Sequence, residues 1–222
     1  MKQYKIVEKF ISINGEGQRS GELSLFIRFP NCNLKCSYCD TMWANEENVD
    51  TIYITIEDIK NDINMYNVKN ITITGGEPLL QENIDEIIED ILSIKNNINI
   101  EIETNGSIDL SKLDKVNREK VHITMDYKLP TSKMEEFMKV ENFDKLTHKD
   151  TIKFVVGSNY DLIRAKNIIE NHIKEGKIYF SPVFNEIEAK DIVEFMKEYK
   201  LNNVRLQMQM HKIIWNPEER GV

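Results

Sequence analysis

The sequence predicts an α/β fold built on a mostly parallel sheet, and two observations carry that prediction. Apolar runs of strand length recur at residues 25–29, 71–74, 98–102, 121–125, 152–156, 178–180 and 204–206, and most of the gaps between them carry apolar residues at helical spacing. Strand, helix, strand, repeated about six times, implies right-handed crossovers between parallel neighbours. The second observation is positional. Ligands of such sheets bind at the C-terminal strand ends, in an open sheet and in a barrel alike, and each unusual cluster of this chain follows a predicted strand.

In chain order, an extended stretch opens the sequence, and the strand at 25–29 runs into three cysteines. Thr55, with Asp58 three positions later, reads as a helix start, and Ile56, Ile59, Ile63 and Tyr66 then follow a helical period. The strand at 71–74 leads into Gly75-Gly76-Glu77-Pro78, followed by a second stripe, Ile84, Ile87, Ile88, Ile91 and Ile94. Glu103-Thr104-Asn105-Gly106 follows the strand at 98–102, and Asp126-Tyr127-Lys128 follows the one at 121–125. Leu162, Ile163, Ile168, Ile169 and Ile173 form a third stripe, Ser181-Pro182 follows the strand at 178–180, and Ile192, Val193, Met196 and Tyr199 form a fourth. All four stripes read as core faces. Five clusters on one rim point to a cofactor pocket.

With 222 residues, 41% of them hydrophobic, the chain can bury one sizeable core; no repeat or Pro/Gly/Ser-rich linker divides it, so a single domain over 1–222 is expected. Charged residues make up 30%, and no apolar run approaches the roughly 20 residues of a membrane span. Met-Lys-Gln-Tyr-Lys-Ile at the N-terminus has no export signature, so the expected compartment is cytoplasmic. A net charge of −8 disfavours nucleic acid as a partner and leaves a small molecule or a protein.

The only cysteines are Cys32, Cys36 and Cys39, in the spacing C-x3-C-x2-C. Clustered in a cytosolic chain, they read as a metal or cluster site rather than a disulfide framework. Four thiolates would close a structural zinc or cluster site; three leave one position open. The nearest histidine along the chain, His122, falls in a predicted strand, so a Cys3His zinc site has no support from spacing. A [4Fe–4S] cluster with one iron lacking a protein ligand is the reading that uses the shortage.

The cysteine spacing, with Tyr38 before the last cysteine, resembles the pattern of the radical S-adenosylmethionine (SAM) enzymes, and Gly75-Gly76-Glu77-Pro78 resembles their second motif. The resemblance implies that SAM chelates the open iron and is split by one electron, so that no side chain is itself catalytic and the protein positions the cofactor. The family's fuller barrels have more strands. The expected fold is therefore a reduced, partial (β/α)6-type radical SAM barrel with mostly parallel strands, its missing wall covered by the tail at 208–222 or by a second subunit.

Narrower features are Ile13-Asn14-Gly15-Glu16-Gly17-Gln18, Phe26-Ile27-Arg28-Phe29 and Cys39-Asp40-Thr41. Together they resemble the 7-carboxy-7-deazaguanine synthase family, carbon–nitrogen lyases of queuosine and 7-deazapurine biosynthesis that contract 6-carboxy-5,6,7,8-tetrahydropterin and expel ammonia. The resemblance assigns Ile13, Asn14, Gly15, Glu16, Arg28, Thr74, His211 and the Val222 carboxylate to substrate. It assigns Gly76, Glu77, Glu103, Asn105, Asp126, Lys128, Ser181 and Pro182 to SAM, and Thr41 to Mg²⁺. A homodimer and an electron donor such as flavodoxin or ferredoxin are further implied. Asp126-Tyr127-Lys128 stands where family members often carry Ser-Pro-Lys, and Ser181-Pro182 where they carry Gln-Pro. Taken singly, Gly15 and Gly17 read as a turn, Arg28 as an edge charge and Thr41 as a helix cap. The rival functions are a glycyl-radical-enzyme activating enzyme and a non-enzymatic iron–sulfur electron carrier.

Overall fold

The computed structural model describes residues 2–217 and 219–222. Its main sheet contains β2 (Glu8–Ile13), β3 (Leu23–Phe29), β5 (Asn70–Gly75), β6 (Asn99–Thr104), β7 (Val121–Asp126), β8 (Thr151–Val156), β9 (Lys177–Pro182) and β10 (Val204–Leu206). The spatial order is β10-β9-β8-β7-β6-β5-β3-β2; β2 runs antiparallel to β3, and every other pairing is parallel. A separate antiparallel pair, β1 (Gln3–Ile6) with β4 (Ile52–Thr55), is an element that the sequence reading does not separate.

Four crossovers carry the helices expected from the apolar stripes: α1 (Ile56–Tyr66), α2 (Ile84–Leu92), α3 (Asn159–His172) and α4 (Ala189–Glu198). Thr55 and Asp58 form the reciprocal capping box at the start of α1. The stripes are wider than the buried faces, since Tyr66 (53% exposed), Ile163 (48%) and Tyr199 (41%) lie outside the core. Between β6 and β7, and again between β7 and β8, the crossover is built of short 3₁₀ turns instead. Their apolar residues recur every three positions, Leu110, Leu113 and Val116 in one and Val140, Phe143 and Leu146 in the other, which is the 3₁₀ rather than the α-helical period. Asn142 stitches them together, its amide oxygen accepting from Leu110 N–H at 3.0 Å while its amide nitrogen donates to Gly106 O at 2.9 Å and Ile108 O at 2.8 Å.

The central strands largely alternate, with Phe26 and Val155 as apolar exceptions on the cleft side. Ile71 and Ile73, Ile100 and Ile102, Ile123 and Met125, and Ile152 and Phe154 face the helices and form the core, each at most 1% exposed. Burying each such side chain contributes roughly 2 kcal/mol. The opposite face carries Thr72 and Thr74, Glu101 and Glu103, Thr124 and Asp126, and Lys153. A parallel sheet sandwiched between apolar layers would read as continuous hydrophobic runs; this one has one layer of helices and one polar interior. Among the described residues, no helix is long and apolar enough to cross a membrane.

β2 and β10 are the two edges of this curled sheet. The gap between them is bridged by the loop after β2 and the segment after β10: Gln207 exchanges two hydrogen bonds with the backbone of Gly17, and Met210 N–H donates to Gly15 O at 3.1 Å. A short helix α5 (His211–Ile214) follows.

Candidate active site

The strands end on one rim around a cleft of about 730 Å³, within the range of small-molecule sites. Cys32, Cys36, Cys39 and Thr41 line it from the loop after β3, Gly76 from the turn after β5, Glu103 and Asn105 from the end of β6, and Asp126 and Lys128 from the end of β7. Ile13, Gly15, Glu16, Arg28, Thr74, His211 and Val222 line it as well. The structure thus gathers residues from both ends of the chain.

The cysteine loop leaves β3 through Asn31, whose left-handed backbone (φ 71°) turns the chain sharply back across the rim. All three thiols are free. Cys32 Sγ accepts from Leu34 N–H at 3.4 Å and from the Asn105 side-chain amide at 3.5 Å. Burial pushes the Cys32 thiol up and the Cys36 thiol up to about 11, so metal binding here must displace protons. Among the described residues, no group of three His, Cys, Asp or Glu side chains already surrounds a common point. His122 does not complete the triad: it sits at the start of β7, where its ring meets Arg19 at 3.3 Å and Lys149 O at 3.2 Å. Thr41 stands at the N-cap of the turn Met42–Asn45, but its side chain makes no cap hydrogen bond; its hydroxyl is 3.7 Å from Cys39 Sγ.

Gly76 is required by close approach. A Cβ there would lie 2.0 Å from Asn31 O and 2.3 Å from Asn45 Oδ1. Its neighbour Glu77, expected on the SAM side, does not line the cleft with its side chain. Its fully buried carboxylate accepts from Leu79 N–H (2.9 Å), Thr104 Oγ1 (2.9 Å) and Asn105 N–H (2.7 Å), and burial pushes it up to about 7. Glu77 is therefore a bracket between two rim loops. Asn14 is likewise turned into the protein, its Oδ1 accepting from Thr72 Oγ1 at 2.7 Å. Ser181 and Pro182 are buried at the end of β9, outside the lining.

On one side, Arg28 lies level with Glu8 on β2 and Thr74 on β5. Its Nε–H donates to Glu8 Oε1 at 2.7 Å, and its guanidinium rests 5.9 Å from the centre of the Phe10 ring; these contacts orient it as an edge charge would not be oriented. Thr74 hydrogen-bonds Glu103, whose carboxyl burial pushes up. On the other side, Asp126 is buried, which alone would raise its pKa, but Lys128 at 2.9 Å and Lys153 at 3.4 Å outweigh this and hold it low. Lys153 is the residue that sequence reading missed. It reaches Glu16 Oε2 at 2.7 Å from the middle of β8. The available signal was a lysine interrupting an otherwise apolar strand, Ile152-Lys153-Phe154.

The tail is fastened over the cysteine loop. Lys212 pairs with Asp40 at 3.1 Å, and Arg220 stacks over Trp43 at 4.2 Å. His211 packs so closely that a Cβ on Gly15 would meet its Nδ1 at 2.2 Å.

The donor set fits an iron–sulfur cluster and a polar cofactor. Three thiols supplied by one loop suit iron, and buried oxygens without a protein partner remain on Glu16 and Asp126.

Residues 26–148 match the family model described as the radical SAM superfamily. Over 221 residues the chain is 54% identical to the 7-carboxy-7-deazaguanine synthase of Clostridium acetobutylicum, covering 99% of each protein. It is 34% identical to the synthase of that name from Chlorobaculum tepidum, covering 98% of this chain and 96% of the relative. Among solved structures, QueE from Escherichia coli matches the fold with a TM-score of 0.71 at 22% identity, covering 94% of this chain and 95% of that one. A chain with this cleft, this family match and relatives of that identity over its whole length belongs to the radical SAM superfamily and, within it, to the 7-carboxy-7-deazaguanine synthase family.

Proposed function

We propose that this chain converts 6-carboxy-5,6,7,8-tetrahydropterin to 7-carboxy-7-deazaguanine with loss of ammonia. The observation that carries the reading is the shared cleft: three free thiols and the Gly76 turn on one wall, with Arg28, Thr74 and Glu16 facing the same space. The rival functions lose their ground, because relatives matched over nearly the whole chain carry the synthase name.

Cys32, Cys36 and Cys39 would hold the cluster, and Thr41 would place its hydroxyl on Mg²⁺. The cluster and SAM, when bound, supply the one-electron chemistry that the ring contraction needs. The protein's own part is orientation and exclusion. The two donors to Cys32 Sγ hold that sulfur and tune its charge. Gly76 keeps the strand end open to close approach. Glu8 orients the Arg28 guanidinium, whose fork matches a carboxylate as a lysine could not. Glu16 Oε1, buried and without a protein partner, accepts a donor from the pterin edge. Phe10, Phe26, Leu34 and Val183 add apolar wall that limits water. The tail residues Gln209, His211 and Lys212 close the mouth.

By the same resemblance the proposal extends to a cytoplasmic homodimer that takes electrons from a flavodoxin or ferredoxin. The functional test is anaerobic reconstitution with iron and sulfide, then incubation with SAM, reductant, Mg²⁺ and 6-carboxytetrahydropterin. Formation of 7-carboxy-7-deazaguanine supports the proposal; 5′-deoxyadenosine accumulating without it rejects the substrate.

A further inference from the structure

We propose that Lys153 is a positioning residue that couples the two halves of the cleft, so that filling the pterin side strengthens binding on the SAM side and the reverse. The proposal rests on the reading of the cleft given above and deepens it.

Lys153 is paired in register with Asp126 and points from β8 into the polar interior of the sheet. Its ammonium lies 2.7 Å from Glu16 Oε2 and 3.4 Å from Asp126 Oδ2, and all three side chains are at most 17% exposed. Glu16 belongs to the loop after β2, on the substrate side; Asp126 ends β7, on the SAM side. One cation therefore serves two carboxylates contributed by separate elements, the loop after β2 and the end of β7. Lys128 also reaches Oδ2 of Asp126, at 2.9 Å. The remaining oxygens, Glu16 Oε1 and Asp126 Oδ1, are buried and have no protein partner.

A buried carboxylate oxygen without a donor is unfavourable, and a ligand N–H or O–H that reaches it forms a charge-assisted hydrogen bond. The shared ammonium sits closer to Glu16, at 2.7 Å, than to Asp126, at 3.4 Å. Once a pterin donor satisfies Glu16, Lys153 is released toward Asp126 and fixes that carboxylate for SAM. Thermodynamic linkage makes the effect equal in the other direction.

The test uses 6-carboxypterin, a fluorescent and unreactive probe, titrated into anaerobically reconstituted protein with and without SAM. In the wild-type protein SAM should tighten the probe about 5-fold or more. Lys153→Met keeps the stem and removes the charge, and should bring the factor close to one; Lys153→Arg should retain most of it. A Met variant with the wild-type factor overturns the coupling while leaving the substrate reading intact. A wild-type protein that binds the probe in neither state overturns the substrate reading, and this proposal with it. Should Lys153→Met fail to fold, the double variant Lys153→Gln/Glu16→Gln removes both charges of the closer pair. The gain in SAM affinity on saturating with 6-carboxypterin, measured by calorimetry, should then fall from about 5-fold or more to close to one; a gain equal to that of the wild type overturns the proposal.

Discussion

Gln207 and Gly17 hold each other by two hydrogen bonds: Gly17 N–H donates to Gln207 Oε1 at 2.8 Å, and Gln207 Nε2 donates to Gly17 O at 2.9 Å. The pair joins the chain just beyond the two edge strands, β2 and β10, where the sheet itself makes no pairing. Replacing Gln207 with Leu leaves a partly buried backbone N–H and C=O unpaired at the seam. The expected cost is about 2 kcal/mol, read by chemical denaturation. A variant as stable as wild type would show that the seam does not close the sheet.

Glu77 makes a second bracket, from the glycine turn to the Asn105 loop, and Asn105 in turn donates to Cys32 Sγ. Glu77→Ala strands three donors and should destabilise the protein by about 3 kcal/mol. Glu77→Gln keeps one carbonyl oxygen and should cost less. The same denaturation series decides it: equal losses in the two variants would contradict a hydrogen-bonding role.

Glu101 supplies a pH test. Burial pushes its carboxyl up to about 7 from 4.5, with Thr124 and the nearby Arg19 and Lys153 pulling it down and Glu103 pushing it up. The folded state thus binds this proton more tightly than the unfolded chain. The associated stability is full below pH 4.5 and is lost as pH rises through about 7. Relative to Glu101→Gln, wild type should therefore lose about 2 to 3 kcal/mol between roughly pH 5 and pH 8. Parallel stability curves for the two proteins would refute the raised value.

Much of the fold and part of the site were legible in the sequence, for a physical reason. The strands and the four helices announce themselves by period, and the cap Thr55 with Asp58 marks the start of α1. The crossovers rich in 3₁₀ turns lack the 3.6-residue period of an α-helix, and the side-chain bonds that shape them, such as those of Asn142, join residues more than thirty positions apart. In the site, the residues that line the cleft through a strand end or a rim loop were legible. Asn14, Glu77 and Ser181 adjoin such positions; the side chains of Asn14 and Glu77 turn into the protein and Ser181 is buried, while the contacts expected at Asn14 and in the Gly76-Glu77 turn are backbone ones, which side-chain direction does not decide. Lys153 shows in the sequence only as a lysine within an apolar strand, and its role stays hidden there because its partners, Glu16 and Asp126, come from distant segments.

The tail offers a milder test. Arg220 over Trp43 and Lys212 beside Asp40 fasten it to the cysteine loop. Each contact is partly exposed, so the double change Arg220→Ala/Lys212→Ala should cost only about 1 kcal/mol of global stability. Limited proteolysis should nevertheless cut the tail several-fold faster than in wild type. An unchanged cutting rate would mean that these contacts do not hold it.

The central claim is that three cysteines hold a cluster whose remaining iron takes SAM. Pulsed electron paramagnetic resonance of the reduced, reconstituted protein with SAM carrying ¹⁵N in its amino group tests this most directly. The account predicts a hyperfine coupling between that nitrogen and the cluster, abolished in Cys36→Ala. A correctly loaded [4Fe–4S] cluster showing no coupling to the labelled nitrogen would contradict it.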